Sequence, residues 1–379
     1  MLQINVASVL GFAALVLIAL VIVKVLVQKS VDPVAKGLLL ALLLGFTAML
    51  CNQLYAVAGL FELFPHYSYT TVALMFSVGP LLYCNIQRIV SGRAPWQLPN
   101  SIIHWLLPIL LLLAFVPYYW QSAETKAVFI QSENARLLTG ALYIANYIQI
   151  AIYLFFSLKP LRQFEHGLCN HFSDIQRFNI MWLRLICWGL VALIVLDIGL
   201  PLLGFISAEI YSSFLIANSL FLAVVAYTAL GTSPLQFPVE LESDQAQSPD
   251  TVTSKYSRSS LRQDSAQYLV HKLAKTMDEE QLYLQEDLSL STLAKKLNTQ
   301  PHHLSQVLNE QLDCTFYDYI NQLRIDHAKN LLLESHQQSV IDIAYASGFN
   351  NKVTFYNAFK RYVGVTPTQY RRQKFEAIS

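Results

Sequence analysis

Long apolar runs dominate the first 230 residues, and this pattern limits the fold of the chain more than any other feature. A helix needs roughly 20 apolar residues to cross a bilayer, and seven stretches meet that length. They lie at about Ile4–Val27, Gly37–Leu60, Thr70–Ile89, Ile102–Trp120, Leu137–Leu158, Ile180–Phe205 and Ile210–Leu230. Charged residues are only 13% of the chain, against about 25% in soluble domains. We therefore predict an all-α fold that opens with a seven-helix transmembrane bundle over residues 1–230.

Basic residues at the ends of these stretches predict the orientation of the bundle, because connections rich in Lys and Arg usually face the cytoplasm. The basic residues of the first, third and fifth connections are Lys24, Lys29, Lys36, Arg88, Arg93, Lys159, Arg162, Arg177 and Arg184. The opposite side carries Lys126 and Arg136, which are offset by Glu124 and Glu133. We therefore predict a multi-pass protein of the bacterial inner membrane, with the N-terminus outside and everything after Leu230 in the cytoplasm.

A polar stretch separates the apolar part from a different kind of sequence. Residues 231–260 contain few large apolar side chains and many Ser, Pro, Gln and Asp, so they cannot bury enough apolar surface to order themselves. We predict a flexible linker over residues 231–260 and a soluble helical domain over residues 261–379.

Capping residues and apolar spacing predict two short helix pairs in the domain at residues 261–379. In the first pair, Asp287 or Ser289 caps one helix, and a second begins at Pro301, which suits a first helical turn. In the second pair, Gly348 ends one helix and another follows. The stretch "FYDYINQLRIDHAKNLLLES" between the pairs has the spacing of a longer amphipathic helix. The pattern predicts two helix-turn-helix units joined by a long helix.

Five segments of this domain follow one another in a specific order: "DLSLSTLAKKL", "HLSQVLNE", "YINQLRIDHAKNLL", "IDIAYASGF" and "FYNAFKRYVGVTPTQYR". The last two are the most specific, with Ile-x-x-Ala, Gly-Phe, Phe-Lys, Gly-x-Thr-Pro and Tyr-Arg at fixed spacing. On these residues, roughly the last hundred positions resemble the AraC/XylS transcription regulators. The resemblance implies two recognition helices that enter successive major-groove segments of double-stranded promoter DNA. It also makes RNA polymerase a candidate partner.

Three positions depart from the usual pattern of the family that the domain resembles. Asp313 stands where Gly is usual, Leu308 where an aromatic residue is usual, and Asn357 where Arg is frequent. An apolar core tolerates Leu308. Asn357 implies a different base preference, because Asn suits adenine edges whereas Arg suits guanine.

Polar side chains on the two predicted recognition helices, at about Pro301–Glu310 and Asn351–Lys360, are the candidate DNA contacts. The resemblance places three of them at base-reading positions of the first helix: His302, Ser305 and Gln306. The candidates on the second helix and its ends are Asn351, Lys352, Thr354, Asn357, Lys360 and Arg361. Lys352 and Asn357 are the main candidates for bases, and Lys360 and Arg361 for phosphates. The alternative for each is a solvated polar face. Arg324 in the joining helix has a second interpretation, as a bridge between the two units.

A few polar residues lie inside the apolar stretches and form a candidate signal pocket. They are Asn52, Asn146, Gln149, Asp197 and Asn218. An ionisable group at membrane depth is costly unless it is paired or hydrated, which makes Asp197 a functional candidate. The alternative is that these side chains only fix helix packing through hydrogen bonds.

Motifs of catalysis and metal binding are absent from the sequence. It contains no P-loop, HExxH, GxSxG or kinase signature. Its five cysteines have no zinc-binding spacing, and no disulfide framework is apparent. We therefore expect no enzyme activity, no metal and no cofactor.

These features combine into one hypothesis, a one-component transcription regulator embedded in the lipid bilayer. The membrane helices would sense an unknown small-molecule or lipid signal, and the cytoplasmic domain would bind promoter DNA, with homodimerisation as a further hypothesis. Two alternatives stay open: the membrane part is only an anchor, or it is a transporter whose DNA-binding tail is controlled by other partners.

Overall fold

The structure is a computed structural model that describes residues 6–27, 32–61, 63–98, 100–175, 181–202, 208–231, 263–334 and 338–376. These residues form helices and turns without a β-strand, and an isolated antiparallel bridge joins Phe172 to Ser289. The expected all-α fold is therefore confirmed. The chain divides into two compact units, Met1–Arg162 with Asn179–Phe237 and Gln163–Phe178 with Pro238–Ser379. After Gly231, the predicted linker lies outside the described residues. Lys29 and Arg177 lie outside them as well.

Apolar helices make up the first unit. They are α1 (Val6–Val27), α2 (Pro33–Val57), α3 (Val72–Met75), α4 (Val78–Ser91), α5 (Ser101–Ala114), α6 (Val116–Tyr119), α7 (Ala123–Gln131), the greater part of α8 (Glu133–His171), α9 (Met181–Leu202) and α10 (Ala208–Gly231). Each of the seven predicted stretches thus contains helix within its described residues. Within the described residues, five helical segments are long and apolar enough to cross a bilayer: Val6–Val27, Pro33–Val57, Pro65–Ser91, Ser101–Tyr119 and Glu133–His171.

Two of the predicted spans are interrupted. The stretch predicted at Thr70–Ile89 forms α3 and α4, which are separated at Phe76 and Ser77. The stretch predicted at Ile102–Trp120 forms α5 and α6, with the interruption just before Pro117, which has no backbone N–H to continue the helix. Proline marks both interruptions in the sequence: Pro117 lies at the second, and Pro80 lacks the N–H that would bond to the carbonyl group of Phe76 at the first.

An ion pair links the start of α2 to the last turn of α4. Asp32 caps α2, because its Oδ1 accepts hydrogen bonds from the backbone N–H groups of Val34 and Ala35 at 3.0 and 3.1 Å. Its Oδ2 accepts a hydrogen bond from Arg88 Nε at 2.8 Å. Arg88 is one of the residues on which the predicted orientation rests, and this pairing gives it a structural role as well.

The second unit contains short helices and one long joining helix. The helices are α11 (Gln263–Glu280), α12 (Leu290–Lys296), α13 (Pro301–Gln311), α14 (Phe316–Glu334), α15 (Val340–Ala346), α16 (Lys352–Val363) and α17 (Pro367–Glu376). A 3₁₀ turn at Leu282–Leu284 follows α11. Of the two caps proposed for α12, Ser289 is the one observed, since its side chain accepts the Thr292 N–H at 3.2 Å. The two predicted helix pairs are therefore α12–α13 and α15–α16.

The joining helix α14 contributes to two separate apolar cores. Its first half inserts Phe316 and Ile320 among buried side chains of α11, α12 and α13. Its second half inserts Ile325, Ala328 and Leu332 among buried side chains of α15 and α16. Each helix pair therefore buries its apolar face against the same helix, which holds both pairs in one folded unit.

The turn between α15 and α16 requires glycine at position 348. Gly348 has a φ of +81°, in the left-handed region that side chains disfavour. A Cβ atom at this position would lie 2.8 Å from the backbone of Leu284 and from the carbonyl oxygen of Tyr283. The second helix pair thus packs backbone against backbone on the 3₁₀ turn that follows α11.

Candidate nucleic-acid interface and polar cluster of the apolar helices

A polar cluster lies between α2, α8, α9 and α10 of the first unit. Tyr147 donates a hydrogen bond to Asp197 Oδ2 at 2.6 Å, while Asp197 Oδ1 is buried and has no hydrogen-bond partner. Asn218 and Gln53 line the same cavity, and the side-chain oxygen of Gln53 is also buried without a partner. Two acceptors without donors therefore lie among residues that surround one cavity.

The cavity beside Asp197 is small. It offers about 20 Å³ of free space, and its other lining residues include Met49, Met75, Tyr143 and Leu193. A cavity of roughly 10–15 Å³ is enough for one water molecule. A water could supply the missing donors, whereas an organic molecule would have to separate the helices.

The structure brings together only part of the predicted pocket. Asp197 and Asn218 line the cavity. Asn52 adjoins it, because its Nδ2 donates to the hydroxyl of the lining residue Tyr143 at 2.7 Å. Asn146 and Gln149 do not line it: they donate to the carbonyl oxygens of Met75 and Phe76, at 3.2 and 2.9 Å.

These two contacts correct the sequence-based grouping of Asn146 and Gln149 with Asp197. The carbonyl groups of Met75 and Phe76 lie where α3 ends, and they lose helical partners there. Asn146 and Gln149 satisfy them, so both side chains hold the helix interruption. The span predicted at Thr70–Ile89 did not include this interruption. The sequence also did not indicate that Tyr143 and Tyr147, one helical turn apart, would provide the hydroxyl groups beside Asp197.

Helix α13 presents a narrow polar face. Its apolar residues Leu304, Val307 and Leu308 are buried in the first core, as predicted from their spacing. His302 is exposed, while Ser305 is partly buried and accepts a long hydrogen bond of 3.4 Å from Asn309. This helix carries no Lys or Arg. Its exposed face therefore offers polar side chains without a Lys or Arg, beside the partial positive charge of its N-terminus.

Gln306 is not on the outer face, where the sequence placed it. Its side chain is only 8% exposed, and its Nε2 donates a hydrogen bond of 3.0 Å to Glu310 Oε2. The spacing of Leu304, Val307 and Leu308 predicts an outward direction for this residue, but the structure buries it. A base contact by Gln306 would require it to leave Glu310.

The start of α16 is held by a side-chain cap. Asn351 Oδ1 accepts hydrogen bonds from the backbone N–H and the hydroxyl of Thr354, at 2.8 and 2.9 Å. Thr354 is only 3% exposed, so its predicted position on the outer face is wrong. Asn351 is partly buried and acts as the N-cap residue. Both residues therefore support the helix at its entry.

The exposed face of α16 is formed by Lys352, Val353 and Asn357. Lys352 Nζ lies 5.4 Å from the centre of the Tyr356 ring, a cation–π contact that holds the side chain along the helix. Val353 is 61% exposed, and it lies one helical turn before Asn357. Val353 was not among the predicted DNA contacts. It lies four residues before Asn357, and this spacing predicts that the two side chains share one helix face. The exposed methyl groups of Val353 suit contact with a thymine methyl group, and the amide of Asn357 suits the edge of a neighbouring adenine.

The two cations at the end of α16 have different surroundings. Lys360 is exposed. Arg361 Nη2 forms an ion pair of 3.0 Å with Asp318 Oδ1, and this same oxygen accepts the Tyr362 hydroxyl at 2.7 Å. Arg361 is also 5.5 Å from the centre of the Tyr362 ring. A phosphate would therefore compete with Asp318 for Arg361 but not for Lys360.

This arrangement of two helix pairs agrees with a family comparison. Residues 293–373 match the family model described as "Helix-turn-helix domain". This part of the chain is therefore similar to helix-turn-helix domains of the AraC type. The matched residues begin in α12 and end in α17, so they include both predicted recognition helices, α13 and α16.

Curated relatives share this helix-turn-helix domain. An uncharacterized HTH-type transcriptional regulator of Staphylococcus aureus (strain COL) is 37% identical over 100 residues, which are 26% of this chain and 13% of that protein. The uncharacterized HTH-type transcriptional regulator YtdP of Bacillus subtilis (strain 168) is 32% identical over 90 residues, 24% of this chain and 12% of that protein. The match thus spans about an eighth of each relative and leaves the apolar helices uncovered.

Solved structures match the same part of the chain. The C-terminal domain of AraT, a response regulator from Geobacillus stearothermophilus, is 30% identical, with 28% of this chain and 84% of that chain covered and a TM-score of 0.25. The C-terminal domain of the two-component response regulator yesN from Fusobacterium nucleatum is 30% identical, with 28% and 98% covered and a TM-score of 0.24.

Arg324 lies inside the helix-turn-helix domain and not on its surface. It is 1% exposed, and its Nε and Nη2 donate to the carbonyl oxygens of Tyr283 and Gln285 at 2.6 and 2.7 Å. Its guanidinium group is 5.6 Å from the centre of the Phe349 ring. Burial lowers the pKa of Arg324 to about 10, so the group stays charged at neutral pH. Arg324 links the 3₁₀ turn after α11 to the second helix pair, which supports the structural interpretation.

Proposed function

We propose that the protein is a membrane-bound transcription regulator that binds promoter DNA through the two recognition helices α13 and α16. The observation that carries this proposal is the sharing of α14 by two apolar cores, each closed by one helix pair. Helix-turn-helix units read DNA by placing the second helix of the pair in the major groove. One rigid helix between two such units can hold both recognition helices in position for successive major-groove segments on the same face of a duplex.

The chemistry of α16 supports a division between base and phosphate contacts. The Asn357 amide can donate to and accept from an adenine edge, and Val353 can contact a thymine methyl group. Lys360 is exposed and can reach a phosphate. On α13, His302 and Ser305 remain the candidate base contacts. Gln306 on α13 and Thr354 on α16 have structural partners instead.

Selection from a random duplex pool tests this function. We expect the full-length chain in lipid nanodiscs to enrich duplexes with two short conserved segments about one helical turn, roughly 34–36 Å, apart. Enrichment of no sequence, or of a single segment with no second one at a fixed distance, would contradict the proposal. Fractionation of cells that express the tagged chain should recover it in the inner membrane.

Lys360→Ala is expected to weaken DNA binding uniformly across sequences. A phosphate contact releases counterions, so its loss lowers the slope of log Kd against log salt by about 0.9. The measurement is a salt titration of binding to the selected duplex and to a scrambled duplex. Lys275→Ala is a matched control, because Lys275 is exposed on α11 and pairs with Glu279 at 3.7 Å. Equal slopes for Lys360→Ala and wild type would exclude a phosphate contact at Lys360.

We further propose that the apolar helices respond to a signal through the cluster around Asp197. The buried acceptors of Asp197 and Gln53 support this role, because both residues line one cavity and an ionisable group at membrane depth is costly unless it is paired or hydrated. The signal would be a small polar solute that occupies the cavity, or a lipid that separates the helices beside it.

Asp197→Asn is expected to abolish any response of promoter activity to growth medium. The variant keeps a partner for Tyr147 but replaces the carboxyl group beside the cavity with an amide. The measurement is a reporter gene behind the selected duplex, followed across a panel of media, with Ser157→Ala as a control. Ser157 is a fully buried polar residue that does not line the cavity. A wild-type response that persists in Asp197→Asn would contradict sensing at this cluster.

A second candidate role for the apolar helices is that of an anchor without sensing. The small size of the cavity favours it, since about 20 Å³ leaves no room for an organic molecule. A reporter output that stays constant in every medium for wild type and Asp197→Asn alike would support the anchor. The expressed helix-turn-helix domain alone should then regulate the same reporter in the same way.

A further inference from the structure

Helix α8 continues beyond the apolar stretch predicted at Leu137–Leu158, and its last residues belong to a different unit. It ends at His171, and the segment Gln163–Phe178 belongs to the same compact unit as the helix-turn-helix domain. The sequence analysis treated this segment as a basic connection between two spans. The chain therefore passes without interruption from the fifth apolar stretch to a segment packed on the DNA-binding domain.

Two consecutive residues of this segment contact the first helix pair. Phe172 forms the antiparallel bridge with Ser289, the residue that caps α12. Ser173 Oγ donates a hydrogen bond of 2.8 Å to the carbonyl oxygen of Leu288. The segment is thus fixed at the entry of α12.

Ser173 and the next residue, Asp174, contact the joining helix and the second helix pair. Asn321 Nδ2 and Arg324 Nη2, both on α14, donate to Ser173 O and Ser173 Oγ at 3.1 and 3.3 Å. Asn350, which precedes the cap residue of α16, donates to Asp174 Oδ2. One short stretch therefore touches both helix pairs and the helix between them.

The depth of these contacts distinguishes them from a loose surface contact. Phe172, Ser173 and Asp174 are 3%, 1% and 5% exposed. Polar groups buried to this extent need hydrogen-bond partners, and Ser173 finds them on α14 and at the entry of α12. The positive charge of Arg324 also attracts the Asp174 carboxylate. We call Phe172–Asp174 the brace.

We propose that the brace sets the relative orientation of the two helix pairs and makes this orientation depend on α8. The inference rests on the proposed function, because it assumes that both pairs bind one duplex. Two recognition helices can enter successive major-groove segments only at a fixed separation and angle. A brace that contacts both pairs preorganises that geometry, and preorganisation strengthens binding by lowering its cost in entropy. A shift of α8 would weaken the brace and thus binding to the two-segment site.

The test compares a two-segment duplex with duplexes in which either segment is scrambled. The double substitution of Ser173→Ala and Asp174→Ala removes the side-chain hydrogen bonds of the brace and keeps Phe172. We expect the full-length double variant in lipid nanodiscs to bind the two-segment duplex about tenfold more weakly than wild type, since it loses three hydrogen bonds. Its affinity for each half-scrambled duplex should stay unchanged. His166→Ala is the matched control, as His166 is exposed on the same segment.

Asn350→Ala provides a second variant that leaves the brace residues intact. It removes the contact with Asp174 from the opposite side, and we expect a smaller loss, about three- to fivefold, again only on the two-segment duplex. A loss that appears equally on a half-scrambled duplex would mean a direct DNA contact and would overturn the proposal. Unchanged or tighter binding of the double variant to the two-segment duplex would overturn it as well. If wild type prefers no duplex at all, the proposed function itself fails.

Discussion

Gly348→Ala is expected to destabilise the second helix pair by about 3–4 kcal/mol, the largest effect of a single substitution in the helix-turn-helix domain. The left-handed conformation at φ +81° costs an alanine about 1–2 kcal/mol. The added Cβ would also meet the backbone of Leu284 and Tyr283 at 2.8 Å, and a backbone cannot rotate away as a side chain can. Hydrogen exchange of the full-length protein measures the effect, as a loss of protection at the amides of α15 and α16.

Gly364→Ala is the matched control for this substitution. Gly364 also has a positive φ, of +84°, but no atom lies within 4 Å of a Cβ at its position. We expect Gly364→Ala to lower the free energy of unfolding by about 1–2 kcal/mol, which is the cost of the left-handed conformation alone. Equal losses for the two variants would show that the packing of Gly348 on the 3₁₀ turn contributes nothing to stability.

Asn357→Arg is expected to change the preferred base from adenine to guanine at one position of the DNA site. Asn pairs with the N6 and N7 edge of adenine, whereas Arg pairs with O6 and N7 of guanine. Each such bidentate contact discriminates by about 1–3 kcal/mol, or roughly 5- to 150-fold in affinity. Selection from a random duplex pool, run in parallel with wild type and variant, shows the change at a single position.

Thr368→Arg controls for the added charge. Thr368 is exposed on α17, away from the face of α16 that carries Asn357. It should strengthen binding to all duplexes slightly and leave every base preference unchanged. An Asn357→Arg variant that retains the wild-type preference at every position would show that Asn357 does not contact a base.

The helices of the carboxyl-terminal domain could be predicted from the sequence because their ends are encoded locally. Ser289 and Asn351 cap helices, Pro301 begins one, and Gly348 and Gly364 end helices in the left-handed conformation. The apolar helices were predicted as stretches but not in detail. The interruption at Phe76 follows from Pro80, which has no N–H to donate to the Phe76 carbonyl group, and the apolar length alone hides it.

The candidate sites were predictable only where a side chain is isolated. Asp197 stood out because an acid is rare among apolar residues, and it does lie beside a cavity. Gln306, placed at a base-reading position by the family resemblance, and Thr354, a polar residue of the second recognition helix, are both buried in the structure. The contacts of Ser173 could not be predicted, because they join residues that are far apart in sequence and are individually ordinary.

The shared use of α14 has a consequence for how such a domain can change over time. Removal of either helix pair would leave half of the apolar side of this helix in water, from Phe316 and Ile320 or from Ile325 and Leu332. The two pairs are therefore not interchangeable modules that could be lost or duplicated singly. A sequence change that alters how one half recognises its ligand must keep the buried side chains that the other half depends on.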